Sequence, residues 1–201
     1  MFLVNEILVF GRGRRQEALD RLAWIHGLMA KQPGFERALV AKFLGDAVTH
    51  TILRFWQDED AYLTFRQTPD GNYGRGRPEG LYVNEKVVPQ WVSTKEAAGV
   101  ESGPFLVKTD WEVPEAAWSA FNEGERKMED IEKTYGLLGV KQFRAKEGNV
   151  GMTIARFPSR AELEALIESP EFNQAREGLP EGVSRISSLC YEIVSEVTPT
   201  N

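Results

Sequence analysis

Residues 2–10, Phe-Leu-Val-Asn-Glu-Ile-Leu-Val-Phe, are nearly all apolar, β-branched or aromatic and predict a strand. Gly11-Arg12-Gly13-Arg14 ends the run. Its Gly-x-Gly lacks the third glycine or the Lys-Ser/Thr of a phosphate loop, so it reads as a turn. From 14 to 31 the period changes. Leu19, Leu22, Ile25 or His26, and Met29 recur at three- and four-residue steps, one apolar stripe of a helix. Gln32-Pro33-Gly34 stops it, because proline cannot continue the ladder and glycine accepts a left-handed cap. Residues 35–44 and 47–56 predict two strands around Gly45-Asp46, a hairpin signal. Asp58 is placed to cap a short helix through Gln67. Residues 69–80 are glycine-rich and irregular, and 81–93 predict a fourth strand, with Pro89 at an edge, a bulge or its late portion.

After a polar linker from Ser93 to Pro104 the pattern starts again. Phe105-Leu106-Val107 repeats Phe2-Leu3-Val4, and a helix from about Pro114 to Tyr135 ends at Gly136 as the first ended at Gly34. Strands at 137–146 and 149–157, a helix capped by Ser159, a further helical turn after Pro170 and a last strand complete the copy. The offset is 103 at Phe2/Phe105, 102 at Gly34/Gly136 and 101 at Pro69/Pro170, the signature of an internal duplication. Each half reads β-α-β-β-α-β, an antiparallel four-stranded sheet with both helices on one face. Two such halves can close their bare sheet faces on each other. The expected fold is α+β: two tandem ferredoxin-like βαββαβ repeats, 1–96 and 103–198, forming an intramolecular α+β barrel. In single-copy proteins that closure would take a dimer. A further homodimer of this pseudo-dimeric chain stays open.

Composition narrows the function classes. A net charge of −6 and a pI near 5.2 do not suit a phosphate backbone, so no nucleic-acid partner is expected. No apolar run reaches the ~18 residues of a span, so no membrane partner is expected. The N-terminus lacks the basic and apolar regions of a signal peptide, which suggests a cytoplasmic protein. The single cysteine, Cys190, sits in a strand-like run and reads as buried and inert. The two histidines, His26 and His50, have no metal-ligand spacing, so no metal site is expected.

Gln32 to Phe35, Phe55 to Ala61 and Ser169 to Phe172 resemble short motifs of the antibiotic biosynthesis monooxygenase family, within the dimeric α+β barrel superfamily. Gln32-Pro33-Gly34-Phe35 is similar to the family's turn between first helix and second strand. Phe55-Trp56-Gln57-Asp58-Glu59-Asp60-Ala61 is similar to its passage from third strand to second helix, and Arg156 to Glu162 is a worn copy. Ser169-Pro170-Glu171-Phe172 is similar to the family's Ser-Pro-x-Phe. The resemblance implies a small-molecule enzyme, an oxidoreductase like the cofactor-independent monooxygenases that oxidise polycyclic phenols with dioxygen. It implies no cofactor. Trp56 and Tyr62 match those enzymes, whereas Ile52 stands where they carry an asparagine. The haem-degrading branch is disfavoured, since Phe65 replaces its tryptophan and no histidine follows His50.

On strand 47–56, His50, Ile52, Arg54 and Trp56 share a face. The resemblance turns that face toward the helices, and His26 points at it from the first helix. His50, His26, Arg54 and Tyr62 are therefore the catalytic candidates, with Trp56, Phe65, Asn5 and Trp24 as substrate-binding candidates. A histidine of near-neutral pKa would take a phenol or enol proton, Arg54 would hold the anion, Tyr62 would donate to a carbonyl, and Trp56 and Phe65 would stack the ring. The bland alternatives are a core tryptophan, satisfied buried histidines, and Arg54 paired with Glu36 or Glu59. Tyr73, Arg75 and Arg77 on the glycine-rich loop are either a lid with an anion contact or a solvated loop. In the second half Phe157, Leu163 and Met128 stand at the places of Trp56, Tyr62 and His26, so that half is expected to complete the barrel without a site. The rival to an enzyme is a non-catalytic barrel that binds a small hydrophobic ligand.

Overall fold

A computed structural model describes residues 1–87, 91–93 and 103–200. The expectations placed on Pro89 and on the linker between Ser93 and Gly103 lie outside the described residues. The chain divides into two units, Met1–Val92 with Ile193–Asn201, and Ser93–Glu192.

In the first unit the predicted periods become elements with little drift: β1 (Phe2–Phe10), α1 (Arg15–Met29), β2 (Phe35–Phe43), β3 (Thr49–Trp56), α2 (Glu59–Gln67), then a last strand in two pieces, β4 (Tyr82–Val87) and β5 (Trp91–Ser93). β3 pairs antiparallel with β1 and β2, and β1 with β4 and β5. The β1–β3 register sets Phe2 opposite Trp56, Val4 opposite Arg54, Glu6 opposite Ile52 and Leu8 opposite His50. Residues directly opposite share a face. Phe2, Val4, Leu8, Phe10, Ile52 and Trp56 pack under Ala18, Leu22, Ile25 and Met29 of α1 and Phe65 of α2. The even-numbered residues of both strands therefore look at the helices, as the Trp56 face was expected to.

The turn motifs have physical causes. Gly34 has φ +75°, and a Cβ there would come within 2.5 Å of the Ala61 Cβ. The glycine of the Pro-Gly turn and the alanine of α2 are thus two halves of one close approach. Gly34 also accepts the Gln57 amide at 2.7 Å. Asp58 caps α2 by accepting from the Ala61 amide at 2.8 Å. Asp46 closes the hairpin by accepting from the Val48 and Thr49 amides.

The second unit repeats the order: β6 (Phe105–Glu112), α3 (Trp118–Thr134), β7 (Gly139–Ala145), β8 (Val150–Phe157), α4 (Arg160–Glu168), α5 (Pro170–Glu177) and β9 (Ser184–Val197), whose residues from Ile193 belong to the first unit. β6 lies between β8 and β9, and β8 also pairs with β7, all antiparallel. Ser169 caps α5 by accepting from the Phe172 amide, with Pro170 in the first turn, which accounts for the Ser-Pro-x-Phe motif. Trp111, Trp118, Phe121 and Met128 form this unit's own core. The chain is α+β with two ferredoxin-like halves.

Candidate functional site

Against the apolar helix-facing surface of the first sheet, three polar side chains stand out. Arg54 is 1% exposed and His26 0% exposed. Arg54 Nη1 lies 2.7 Å from Glu6 Oε1, ion-pair range although not aligned as a hydrogen bond. Arg54 Nε donates to His26 Nε2 at 3.3 Å. Burial opposes the guanidinium charge, but the Glu6 carboxylate, together with Tyr73 and Tyr62, more than offsets it and raises the Arg54 pKa. Because His26 Nε2 accepts, its proton sits on Nδ1, which has no partner among the described residues.

Glu6 and Arg54 wall a cavity of about 50 Å³, completed by Leu8, Arg21, Leu22, Ile25, Tyr73, Gly74, Arg77 and Tyr82. That volume suits water rather than a ring. Its roof is the glycine-rich loop, which α1 clasps: Arg21 Nη2 donates to the carbonyls of Tyr73 (2.7 Å) and Arg75 (3.2 Å). Tyr73 stacks on Phe65 and lies beneath the guanidinia of Arg54 and Arg66. Tyr82 enters through a β-bulge. Val9 pairs with Asn84 but Phe10 with Tyr82, leaving Val83 as the extra residue, 67% exposed. The skipped position returns Tyr82 to the helix-facing side. Its buried hydroxyl has no partner among the described residues.

Residues 1–71 match the family model described as antibiotic biosynthesis monooxygenase. That match spans β1 through α2 of the first repeat. The whole chain also resembles solved structures. A candidate monooxygenase from Fusobacterium nucleatum subsp. nucleatum ATCC 25586 aligns with TM-score 0.70 and 14% identity over 98% of this chain and 94% of that one. One from Lactobacillus acidophilus NCFM aligns with TM-score 0.68 and 11% identity over 98% and 97%. An anthrone oxidase-like protein aligns with TM-score 0.63 and 12% identity over 100% and 94%. These likenesses show a shared fold along nearly the full length. No curated protein sequence matches the chain.

Within the first repeat the expected site residues do not all converge. Arg54 lines the cavity and His26 supports it from behind. Asn5 falls on the opposite face of β1, where its side-chain oxygen accepts from Thr51 Oγ1 at 2.9 Å; the parity that sends Val4 and Glu6 to the helices excludes it. Trp24 is 51% exposed, because two residues along a helix turn about 200° away from His26. Trp56 is wholly buried in the core with Phe35, Tyr62 and Phe65 around it, and none of Trp56, Tyr62 or Phe65 lines this cavity. His50 stacks on Phe10 at 4.0 Å, with Nδ1 3.0 Å from the Val48 carbonyl. The partner of Arg54 is Glu6, not Glu36 or Glu59. Glu6 and Tyr82 were not singled out from the sequence. For Glu6 a signal existed: it is the one charge on the alternating face Phe2, Val4, Glu6, Leu8, Phe10.

Neither imidazole is a ready base. Burial, and then the Arg54 charge, hold the His26 pKa well below its ordinary value. Burial also lowers that of His50. The unfolded chain therefore binds protons near pH 6.5 that the folded chain refuses, so stability is full above that pH and falls as pH drops below it. His26→Gln keeps an acceptor for Arg54 and does not titrate. Its loss of stability between pH 7 and 5, followed by urea unfolding, is expected to be smaller than wild type by up to about 1.4 kcal/mol per pH unit. An identical pH slope in the variant would show that His26 protonates freely in the fold.

The second repeat has no copy of the ion pair. By register, Thr109 and Ala155 occupy the places of Glu6 and Arg54. It does not lack a cavity: about 370 Å³ opens among Trp111, Asn173, Arg176, Glu177, Leu179, Val183, Ser184 and Arg185.

Proposed function

We propose that the first repeat is the site of a small-molecule enzyme resembling the cofactor-independent monooxygenases, acting on an aromatic phenol or other enolisable substrate. The observation that carries this reading is the Glu6–Arg54 pair, buried under α1 yet forming the wall of a cavity roofed by a clasped loop. The roles differ from those read in the sequence. Glu6 takes the acidic C–H or O–H proton, and Arg54 holds the enolate or phenolate oxygen. Tyr82 donates its free hydroxyl to a second substrate oxygen. His26 keeps Arg54 oriented. A ring enters only when the loop at Tyr73–Arg77 swings away and gives up the Arg21 clasp.

The chemistry balances without an added reductant. The electron-rich anion passes one electron to dioxygen, and the two radicals join through a new C–O bond to give a hydroperoxide. Loss of water then breaks the O–O bond and leaves a carbonyl. A CH₂ group and O₂ thus become C=O and H₂O, with both hydrogens supplied by the substrate.

The test is oxygen consumption with 1,8-dihydroxyanthrone, a substrate class suggested by the anthrone oxidase-like neighbour. One O₂ per quinone is expected, with kcat at least about 100-fold lower in Glu6→Gln. Unchanged uptake in both Glu6→Gln and Arg54→Met would remove this site from the reaction. The small closed cavity favours a second reading, a barrel that holds a hydrophobic ligand without converting it. Anthrone binding with no oxygen uptake would select that reading.

A further inference from the structure

We infer that the second repeat carries a binding site of its own, for a small planar organic carboxylate held by Arg176 and Arg185 against Trp111. The cavity there, about 370 Å³, is of ordinary small-molecule size. It is built by the same device that brings Tyr82 into the first repeat. β6 and β9 shift register between Asp110 and Trp111: Asp110 pairs with Ser187 but Trp111 with Arg185. The extra residue is Ile186, 58% exposed, the counterpart of Val83. Without this bulge Arg185 would stand opposite Glu112, on the other face of the sheet. With it, Arg185 shares the face of Trp111 and meets Arg176 from α5 at one cavity.

The chemistry of the walls selects the ligand. Among the described residues neither Arg176 nor Arg185 is in an ion pair; Arg176 lies over the Phe172 ring at 5.2 Å. Glu177 is the one carboxylate on the walls of this cavity, which keep an excess positive charge, while Glu125 and Glu132 share with Arg176 and Trp111 the adjoining cleft. Arginine suits a carboxylate through paired N–H donors. Asn173 and Ser184 add polar groups at the rim. The floor is the Trp111 indole, pinned by its N–H to Thr153 Oγ1 at 3.1 Å and edge-on to Phe121, with Leu179 and Val183 beside it. An anion with a flat apolar body satisfies both halves, whereas a bare inorganic anion leaves the indole and its aliphatic neighbours unused.

The measurement is a titration of the ¹⁵N-labelled full chain, read at the tryptophan indole N–H signals, with that of Trp111 identified by its loss in Trp111→Phe. The probes are 2-naphthoate, the neutral 2-naphthalenemethanol, and sulfate. Naphthoate is expected to move the Trp111 signal to saturation, at least tenfold tighter than either other probe. Affinity is expected to fall at least tenfold in Arg176→Gln/Arg185→Gln and to hold in Arg160→Gln, a surface arginine on α4. Equal affinity for naphthalenemethanol, equal affinity for sulfate, or unchanged affinity in the double variant would each overturn the assignment.

Discussion

Glu6→Leu is expected to lower stability by about 3–5 kcal/mol, the range for removing one partner of a buried ion pair. Arg54 is 1% exposed and keeps its charge, so the variant strands a cation among Val4, Ile25 and Trp56 with only a neutral imidazole as acceptor. The double variant Glu6→Leu/Arg54→Met removes both charges at similar volume. It is expected to recover most of the loss, because apolar replacement of a whole buried pair is often neutral or stabilising. Urea midpoints of the four proteins close a double-mutant cycle. If the double variant is as unstable as the summed single changes, the two side chains do not depend on each other and the site has been misread. The same protein also separates folding from function. A stable double variant with no oxygen uptake would show that the pair is retained for chemistry rather than for the fold.

The fold was legible because both repeats keep their periods. The α1 stripe, the Pro-Gly stop, the Gly45-Asp46 hairpin and the Asp58 cap each state a local constraint that survives packing. The duplication then supplied the sheet order twice. The site was less legible, for three physical reasons. Strand parity assigns residues to one of two faces, but only pairing to β3 says which face of β1 meets the helices. Asn5 was therefore grouped with residues from which it points away, while Glu6 passed unnoticed between apolar neighbours. Bulges come next. A one-residue slip at Val83 or Ile186 reverses the face of everything beyond it, and neither slip leaves a mark in the hydrophobic pattern. That is why Tyr82 and Arg185 could not be placed from sequence. Last, a histidine on an apolar stripe looks like a base until its partner is known. Arg54 turns His26 into an acceptor that resists protonation.

Trp56→Ala is expected to cost about 3–5 kcal/mol, and Trp56→Phe only about 1–2 kcal/mol. The ring is fully buried, stacked on Phe65 at 5.4 Å and edge-on to Phe35 at 5.3 Å and Tyr62 at 5.9 Å. Alanine would empty the centre of that cluster, whereas phenylalanine keeps most of the contacts. Its indole N–H is buried without a partner among the described residues, so phenylalanine also removes an unsatisfied donor and offsets part of the lost packing. The resemblance to phenol-oxidising enzymes made Trp56 a substrate-stacking candidate, and that role predicts the reverse emphasis: a large loss of turnover in Trp56→Phe with little change in stability. Tyr73 is a better-placed aromatic contact, since it lines the cavity with the Arg54 guanidinium 5.6 Å from its ring centre. Under the core assignment, oxygen uptake by Trp56→Phe stays within a few-fold of wild type at a temperature where both are folded, and Tyr73→Ala loses far more. Denaturation midpoints and initial rates on the same three preparations decide it. A stable Trp56→Phe protein with abolished turnover would return Trp56 to the substrate.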